Sequence, residues 1–163
     1  MILLLNVVTA LVIGLLTEQL AVVAVFTLSF MVLRSYTGGY HSDSRIFCYL
    51  GSNLVLLVPV YTQAVFYKTS LAWLLAVLLV SAGIIFLLSP MHSKNRKLDK
   101  EEQKHFGRKA RLIAALELAV LGILWHAGQI PYAYAVYTGI CITALFMLVG
   151  KAQLWIQSHT ENG

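Results

Sequence analysis

Charged residues are scarce in this sequence. Lys and Arg number 12 and Asp and Glu number 7, together 12% of the 163 residues, whereas 59% of the residues are hydrophobic. A soluble globular domain carries roughly a quarter charged residues. Half that fraction, together with long uncharged runs, excludes an ordinary soluble domain and indicates an integral membrane protein.

Cysteine is nearly absent, and the signatures of nucleotide-dependent enzymes are missing. Two cysteines, Cys48 and Cys141, are too few for a disulfide framework. Cys141 lies within an apolar run, where a small, inert thiol is the simplest interpretation. No nucleotide-binding loop occurs, so a chain of this length cannot be a complete ATP-driven pump. We expect no cofactor, no metal and no nucleic-acid partner.

Apolar segments account for most of the chain and predict an all-α, polytopic membrane helix bundle of about six spans. We treat residues 1–163 as a single integral membrane domain. The predicted spans are residues 1–16, 20–33, 46–67, 71–89, 112–130 and 132–150. Pro59 is predicted to kink the third span. Residues 91–111 are predicted to form a long basic loop.

The first 33 residues can form either one long helix or a hairpin of two short helices. A single helix would extend about 50 Å, beyond the roughly 30 Å hydrocarbon core, and would place Glu18 at mid-depth. The hairpin places Glu18 at a surface, so we predict a turn at residues 17–19. No basic segment precedes the first apolar stretch, so we expect it to be retained rather than cleaved as a signal.

The basic residues are distributed unevenly between the two faces that this topology creates. Alternation of six spans places only Lys68 on one face and the other eleven basic residues on the opposite face. The eleven are Arg34, Arg45, Lys94, Arg96, Lys97, Lys100, Lys104, Arg108, Lys109, Arg111 and Lys151. Cytoplasmic loops carry an excess of Lys and Arg. The basic loop and both termini are therefore predicted to be cytoplasmic.

A polar segment from Arg34 to Cys48 interrupts the apolar runs on the predicted cytoplasmic face. It contains one histidine, His41, and one of the two cysteines. A cysteine reacts as a thiolate. Asp43 or Ser44, or the neighbouring Ser42, can cap the following helix, which would place Cys48 in the first turns, where the helix dipole favours an anion. His41 could accept the thiol proton.

The spacing of His41 and Cys48 demands a turn between them. On one continuous helix, residues seven positions apart lie about 10 Å apart along the axis, too far for a hydrogen bond of roughly 3 Å. Gly38 and Gly39, with the following Ser and Asp residues, have the turn chemistry to fold the chain back. Asp43 could orient the imidazole or cap the helix.

Other interpretations of this segment stay open at this point. The histidine and the cysteine could be surface residues without function, or Cys48 could be palmitoylated in a non-catalytic membrane scaffold. A metal site with His92 and His105 would lack closely spaced ligand pairs. A small peptide transporter also fits six spans, although transporters gather polar residues at broken helices near mid-depth.

Two motifs resemble those of one family. Residues 34–41 read Arg-Ser-Tyr-Thr-Gly-Gly-Tyr-His, and Cys48 follows after six intervening residues. This pattern resembles the signature of the accessory gene regulator B family, multi-spanning bacterial membrane cysteine endopeptidases that process autoinducer peptide precursors. Residues 89–98 resemble the same family's Ala-Pro-x-x-x-x-Asn-Lys/Arg-Pro-Leu loop, with Lys97 in place of a proline.

The resemblance implies that His41 is the general base and Cys48 the nucleophile. Arg34, Gly38 and Gly39 match further motif positions. We expect the glycine amides to approach the substrate and donate to the oxyanion. Arg34 would pair with a substrate carboxylate or anchor the span at the lipid headgroups. Asp43 and Ser44 are expected to support the same site.

The resemblance also implies a reaction and a substrate. Cys48 would release the C-terminal tail of a quorum-sensing precursor and hold the rest as a thioester, which a Cys or Ser of the peptide would convert to a thiolactone or lactone. The implied precursor has an amphipathic helix and an acidic tail. Lys94, Arg96, Lys97 and Lys100 could hold that tail by charge pairing. The implied setting is the bacterial cell membrane, with the enzyme as a homodimer.

Glu117 is the one acidic residue expected deep within a later span. An ionisable side chain in that setting is usually paired or functional. We expect it to pair with Arg111 or His126, or to line the substrate groove.

Overall fold

The computed structural model is all-helical throughout the part of the chain that it describes, which confirms the predicted fold class. It describes the backbone of residues 2–38, 45–90 and 100–160 and the side chains of residues 5–38, 51–90, 101 and 103–156. The helices in these ranges are α1 (Ile2–Leu16), α2 (Leu20–Thr37), α3 (Arg45–Tyr61), α4 (Gln63–Lys68), α5 (Leu71–Leu88), α6 (Lys100–His126) and α7 (Ile130–Thr160).

Three of the described helices are long and apolar enough to cross a membrane. They contain the stretches Leu20–Thr37, Leu71–Leu88 and Ile130–Ile156. Two shorter apolar stretches, Leu5–Leu16 in α1 and Gly51–Tyr61 in α3, accompany them. Such helices expose apolar side chains to lipid rather than to water. The count of six spans stays a prediction.

The predicted hairpin of the first two helices is confirmed. Glu18 adopts a left-handed conformation with φ 56°. Its N–H donates to Leu15 at 3.3 Å, and the N–H of Gln19 donates to Gly14 at 3.0 Å. This pair of bonds is a Schellman motif, which satisfies carbonyls at the end of α1 and reverses the chain. α2 then continues past the predicted end at residue 33 to Thr37.

The third predicted span is two helices rather than one. α3 ends at Tyr61 and α4 begins at Gln63, two and four residues past Pro59. Proline has no N–H and weakens the helix ladder around it. The hydroxyl of Thr62 donates to the Val58 carbonyl at 2.8 Å and shares a 2.5 Å hydrogen bond with the hydroxyl of Tyr134. The hydrogen bond to Tyr134 therefore holds the break between α3 and α4 against α7.

The boundary predicted for the basic loop is wrong at its C-terminal end. α6 begins at Lys100, so residues 100–111 are helical. Lys, Glu, Gln, Arg and Ala dominate this stretch and all favour helix, whereas we assigned the segment by its charge. α6 ends before Gly128, whose φ of 72° and N–H bond to Trp125 at 3.1 Å form another Schellman turn into α7.

α7 is the central helix of the bundle, and it joins two buried apolar clusters. The first cluster packs α7 against α1, α2 and α3, with Val23, Phe26, Leu56 and Ile142 among its members. The second packs α7 against α2, α5 and α6 and contains Leu33, Ile85, Ala114, Ile140 and Met147. Both clusters include residues of α2, so α2 and α7 together form the spine on which the other helices pack.

Glu117 has a different partner from those predicted. The hydroxyl of Ser29 on α2 donates to its carboxylate at 2.8 Å, while Arg111 donates its Nε to the carbonyl of Phe86. A Cβ at Gly139 on α7 would lie 2.6 Å from the Ser29 hydroxyl oxygen. Only glycine therefore lets α7 approach this contact. The prediction was wrong because the partner is set by helix packing: α2 places the Ser29 hydroxyl within hydrogen-bond distance of the Glu117 carboxylate.

Candidate functional site

The described backbone places Cys48 at the start of a helix. α3 begins at Arg45, so Cys48 lies in its first turn, the position predicted from the sequence. The N-terminus of a helix carries partial positive charge that favours a thiolate. The side chain of Cys48 lies outside the described residues, and so do His41, Gly39, Asp43 and Ser44. The approach of His41 to Cys48 stays a prediction.

The end of α2, where the first motif begins, is held by Arg34. Its Nη1 donates to the carbonyl of Gly38 at 3.0 Å, and the hydroxyl of Thr37 donates to the same oxygen at 3.4 Å. Gly38 has φ 72° and ψ −152°, a conformation that is essentially restricted to glycine. The direction in which the chain leaves α2 towards residues 39–44 is thereby set.

Arg34 also connects the end of α2 to α7. Its guanidinium lies 4.9 Å from the centroid of the Phe146 ring. A cation over an aromatic face is attracted by the ring quadrupole, and more strongly where water is partly excluded. The roles predicted for Arg34, pairing with a substrate carboxylate or anchoring at the headgroups, stay untested. The contacts reveal a third role, in which Arg34 stabilises the local backbone.

The second motif begins at the same end of the bundle. Ser89 follows α5, is buried, and donates its hydroxyl to the sulfur of Met147 at 4.0 Å. The ring of Pro90 lies against α6, where a Cβ at Gly107 would be 2.9 Å from Pro90 Cδ. Lys94, Arg96 and Lys97 and the side chain of Lys100 lie outside the described residues.

Neighbouring residues on α6 and α7 contact the beginnings of both motifs. On α6, Phe106 faces the Tyr36 ring with 6.5 Å between centroids, and the adjacent Gly107 contacts Pro90. On α7, Phe146 lies under Arg34 and the adjacent Met147 contacts Ser89. Although the two motifs are distant in sequence, the structure brings their first residues to one end of the bundle. None of these four residues was predicted from the sequence, since none of them carries reactive chemistry.

Cationic side chains cover α6 at this end. Lys104, Arg108 and Arg111 are exposed and are spaced by four and three residues, so they lie on one helical face. Such a face attracts an anionic group. These charges were predicted from the sequence to lie in a loop, for which no common face could be inferred.

The described side chains contain no group of three His, Cys, Asp or Glu residues that could hold a metal ion. Cys141 lies half-buried on α7, and its thiol contacts the hydroxyls of Ser81 and Tyr137. These contacts fit the simple interpretation of Cys141 as a packed, unreactive thiol.

Comparison with known proteins adds information about most of the chain. A family model described as accessory gene regulator B matches residues 1–148. The accessory gene regulator protein B of Staphylococcus intermedius is 26% identical over 121 residues, which cover 74% of this chain. The match spans 62% of that relative, less than two thirds of its length. No solved structure matches the chain significantly.

Proposed function

The chain belongs to the accessory gene regulator B family, and on that premise we propose that it is a membrane cysteine endopeptidase that processes a quorum-sensing peptide precursor. The observation that carries the proposal is the place of Cys48 in the first turn of α3. A thiol at that position is favoured as a thiolate, which is the nucleophilic form of cysteine. His41 is the only histidine of the first motif and is the proposed base.

The proposed reaction begins with transfer of the Cys48 proton to the His41 imidazole. The thiolate attacks the carbonyl carbon at the cleavage site, and the developing oxyanion accepts hydrogen bonds from backbone amides near Gly38 and Gly39. The carbon–nitrogen bond then breaks. The amine of the C-terminal tail leaves with the proton from His41, and the rest of the precursor remains attached to Cys48 as a thioester.

A second acyl transfer completes the proposed reaction. A cysteine or serine of the bound peptide loses its proton to His41 and attacks the thioester carbonyl. The bond to Cys48 sulfur breaks, the ring closes as a thiolactone or lactone, and the thiolate of Cys48 recovers the proton. Exchange of one thioester for another is close to neutral in free energy, so the step needs no ATP. Exclusion of water at the membrane edge would protect the intermediate from hydrolysis.

The proposed substrate is a precursor with an amphipathic helix and an acidic C-terminal tail. Lys94, Arg96, Lys97 and Lys100 remain the proposed contacts for the tail, and the exposed Lys104 and Arg108 on α6 extend the same charge. Opposite charges would concentrate the tail beside the site. We further propose that this end of the bundle is cytoplasmic, in the cell membrane of a bacterium, and that the protein is a homodimer.

Co-expression with a candidate precursor tests the proposal. The shortened peptide is measured by mass spectrometry for the wild type and for Cys48→Ala, His41→Ala and Cys141→Ala. We expect cleavage to disappear in the first two variants and to persist in Cys141→Ala, which removes the other thiol. Cleavage that survives in Cys48→Ala would contradict a cysteine endopeptidase and favour the transporter or scaffold alternatives.

A further inference from the structure

Pro90 leaves the last turn of α5 one hydrogen bond short. Ser89 still donates its N–H to the carbonyl of Ile85 at 3.1 Å. In a continuing helix, residue 90 would donate to Phe86 in the same way, but proline has no N–H. An orphaned carbonyl at a helix end must find another donor. Here the donor is Nε of Arg111 on α6, at 3.1 Å from the Phe86 oxygen.

One turn before Arg111, α6 makes a second contact with the end of α5. A Cβ at Gly107 would lie 2.9 Å from Pro90 Cδ and 3.5 Å from the Ser89 carbonyl oxygen. Residues four apart share a helix face, so Gly107 and Arg111 act on α5 together. By contrast, a Cβ at Gly122 on the same helix would meet nothing within 4 Å. Of these two glycines of α6, only Gly107 closely approaches the end of α5.

These contacts join the beginnings of the two motifs. Phe106, adjacent to Gly107, contacts Tyr36 near the end of α2. Leu33 of α2 and Ile85 of α5 are both fully buried in the second apolar cluster, where they pack with residues of α6 and α7. α6 therefore contacts both the end of α5 and the last turn of α2.

We propose that Gly107 and Arg111 are positioning residues of the candidate site. They hold the carboxyl end of α5, where the second motif begins, against the part of α6 that also contacts the carboxyl end of α2, where the first motif begins, so that both motifs engage one precursor peptide. The proposal rests on the proposed function. It implies that disturbing the α5–α6 contact weakens precursor binding before it affects the chemistry at Cys48.

A double-mutant cycle tests the Arg111 contact without reference to activity. Arg111→Met is expected to lower the thermal midpoint of the protein in detergent by about 2–4 °C. The same substitution in a Pro90→Ala background is expected to lower it less, because the new N–H can pair with Phe86. Arg108→Met, an exposed cation on the same helix, serves as the control and should show no coupling. Additive effects of Arg111→Met and Pro90→Ala would overturn this part of the proposal.

Precursor cleavage kinetics test the positioning role. We expect Gly107→Ala to raise the KM for the precursor several-fold, while kcat and the rate of Cys48 alkylation by iodoacetamide stay within about twofold of the parent. The alkylation is measured in a Cys141→Ser parent, so that Cys48 is the one thiol that can react. Gly122→Ala is the matched control, and it should leave all three quantities unchanged. Arg111→Met should likewise raise the KM, and Arg111→Lys, which keeps a donor, should return most of the way to the parent value.

The outcomes separate this inference from the proposed function. An unchanged KM in Gly107→Ala, or equal falls in kcat and Cys48 alkylation, would overturn the positioning role while leaving a cysteine endopeptidase in place. Cleavage that persists in Cys48→Ala would overturn the proposed function instead.

Discussion

Ser29 donates a hydrogen bond of 2.8 Å to the carboxylate of Glu117 and so joins α2 to α6 inside the bundle. Ser29 itself is buried, at 7% exposure. A polar pair in a membrane bundle is stabilising mainly because each partner would otherwise be left unsatisfied. The contact thus explains why an acidic residue is tolerated in the fifth predicted span.

Replacing Ser29 with alanine is expected to destabilise the protein by about 1–3 kcal/mol, because the carboxylate of Glu117 loses its donor. The free energy of unfolding in detergent measures the loss. Ser35→Ala is the control, since that exposed hydroxyl bonds only within its own helix, to Met31. The loss should shrink in a Glu117→Leu background. An equal loss there would mean that the hydroxyl acts through something other than Glu117.

Gly139→Ala is expected to destabilise the protein by about 1–3 kcal/mol through overpacking. The new Cβ would lie 2.6 Å from the Ser29 hydroxyl oxygen and 3.4 Å from the Phe30 nitrogen, so α2 and α7 would have to separate. Gly83→Ala on α5 meets nothing within 4 Å, and its better helix propensity should leave stability equal or slightly raised. Similar thermal midpoints for the two variants would contradict the close approach.

Gly38→Ala is expected to lower precursor cleavage by at least about tenfold, because φ 72° with ψ −152° strains any residue that has a Cβ, by about 1–3 kcal/mol. The strain is relieved only if the end of α2 rearranges and the Arg34 hydrogen bond is lost. Gly51→Ala in α3 is the matched control, with open space around the added Cβ. Activity is measured per folded molecule, and wild-type cleavage by Gly38→Ala would show that this backbone geometry is dispensable.

The predicted orientation makes Lys68 and Lys104 lie on opposite sides of the membrane. Single cysteines at these positions, in a background that lacks both native cysteines, can be labelled in intact cells with an impermeant maleimide. We expect labelling at position 68 and protection at position 104 until the cells are opened, because the excess of basic residues marks the cytoplasmic face. Labelling of position 104 in intact cells would reverse the topology.

Local sequence patterns predicted the structure correctly where the residues that determine it lie close together in the chain. The hairpin followed from Thr17, Glu18 and Gln19, because a single 33-residue helix exceeds the membrane thickness and would have placed a carboxylate at mid-depth. Cys48 was expected near a helix N-terminus because capping residues precede it. The two motifs were sufficient to suggest the family.

Local patterns failed where charge and helix propensity pointed in different directions. Residues 100–111 are basic, which suggested a loop, yet the same side chains are strong helix formers. The break at Thr62 was expected only as a kink at Pro59, because the hydroxyl of Tyr134 that holds the break lies far along the chain. The partner of Glu117 was missed for the same reason.

The all-helical class, the first hairpin and the reactive residue types follow from nearest-neighbour chemistry, since hydrophobicity, capping and turn formation act over a few residues. The meeting of the two motifs does not follow from it. That meeting depends on Arg111 donating to the Phe86 carbonyl, to which Pro90 has no N–H to donate, on Gly107 admitting the proline ring, and on α7 packing against both α2 and α5. These contacts join residues whose sequence separation hides them, because packing selects partners by shape across the bundle rather than by position along the chain.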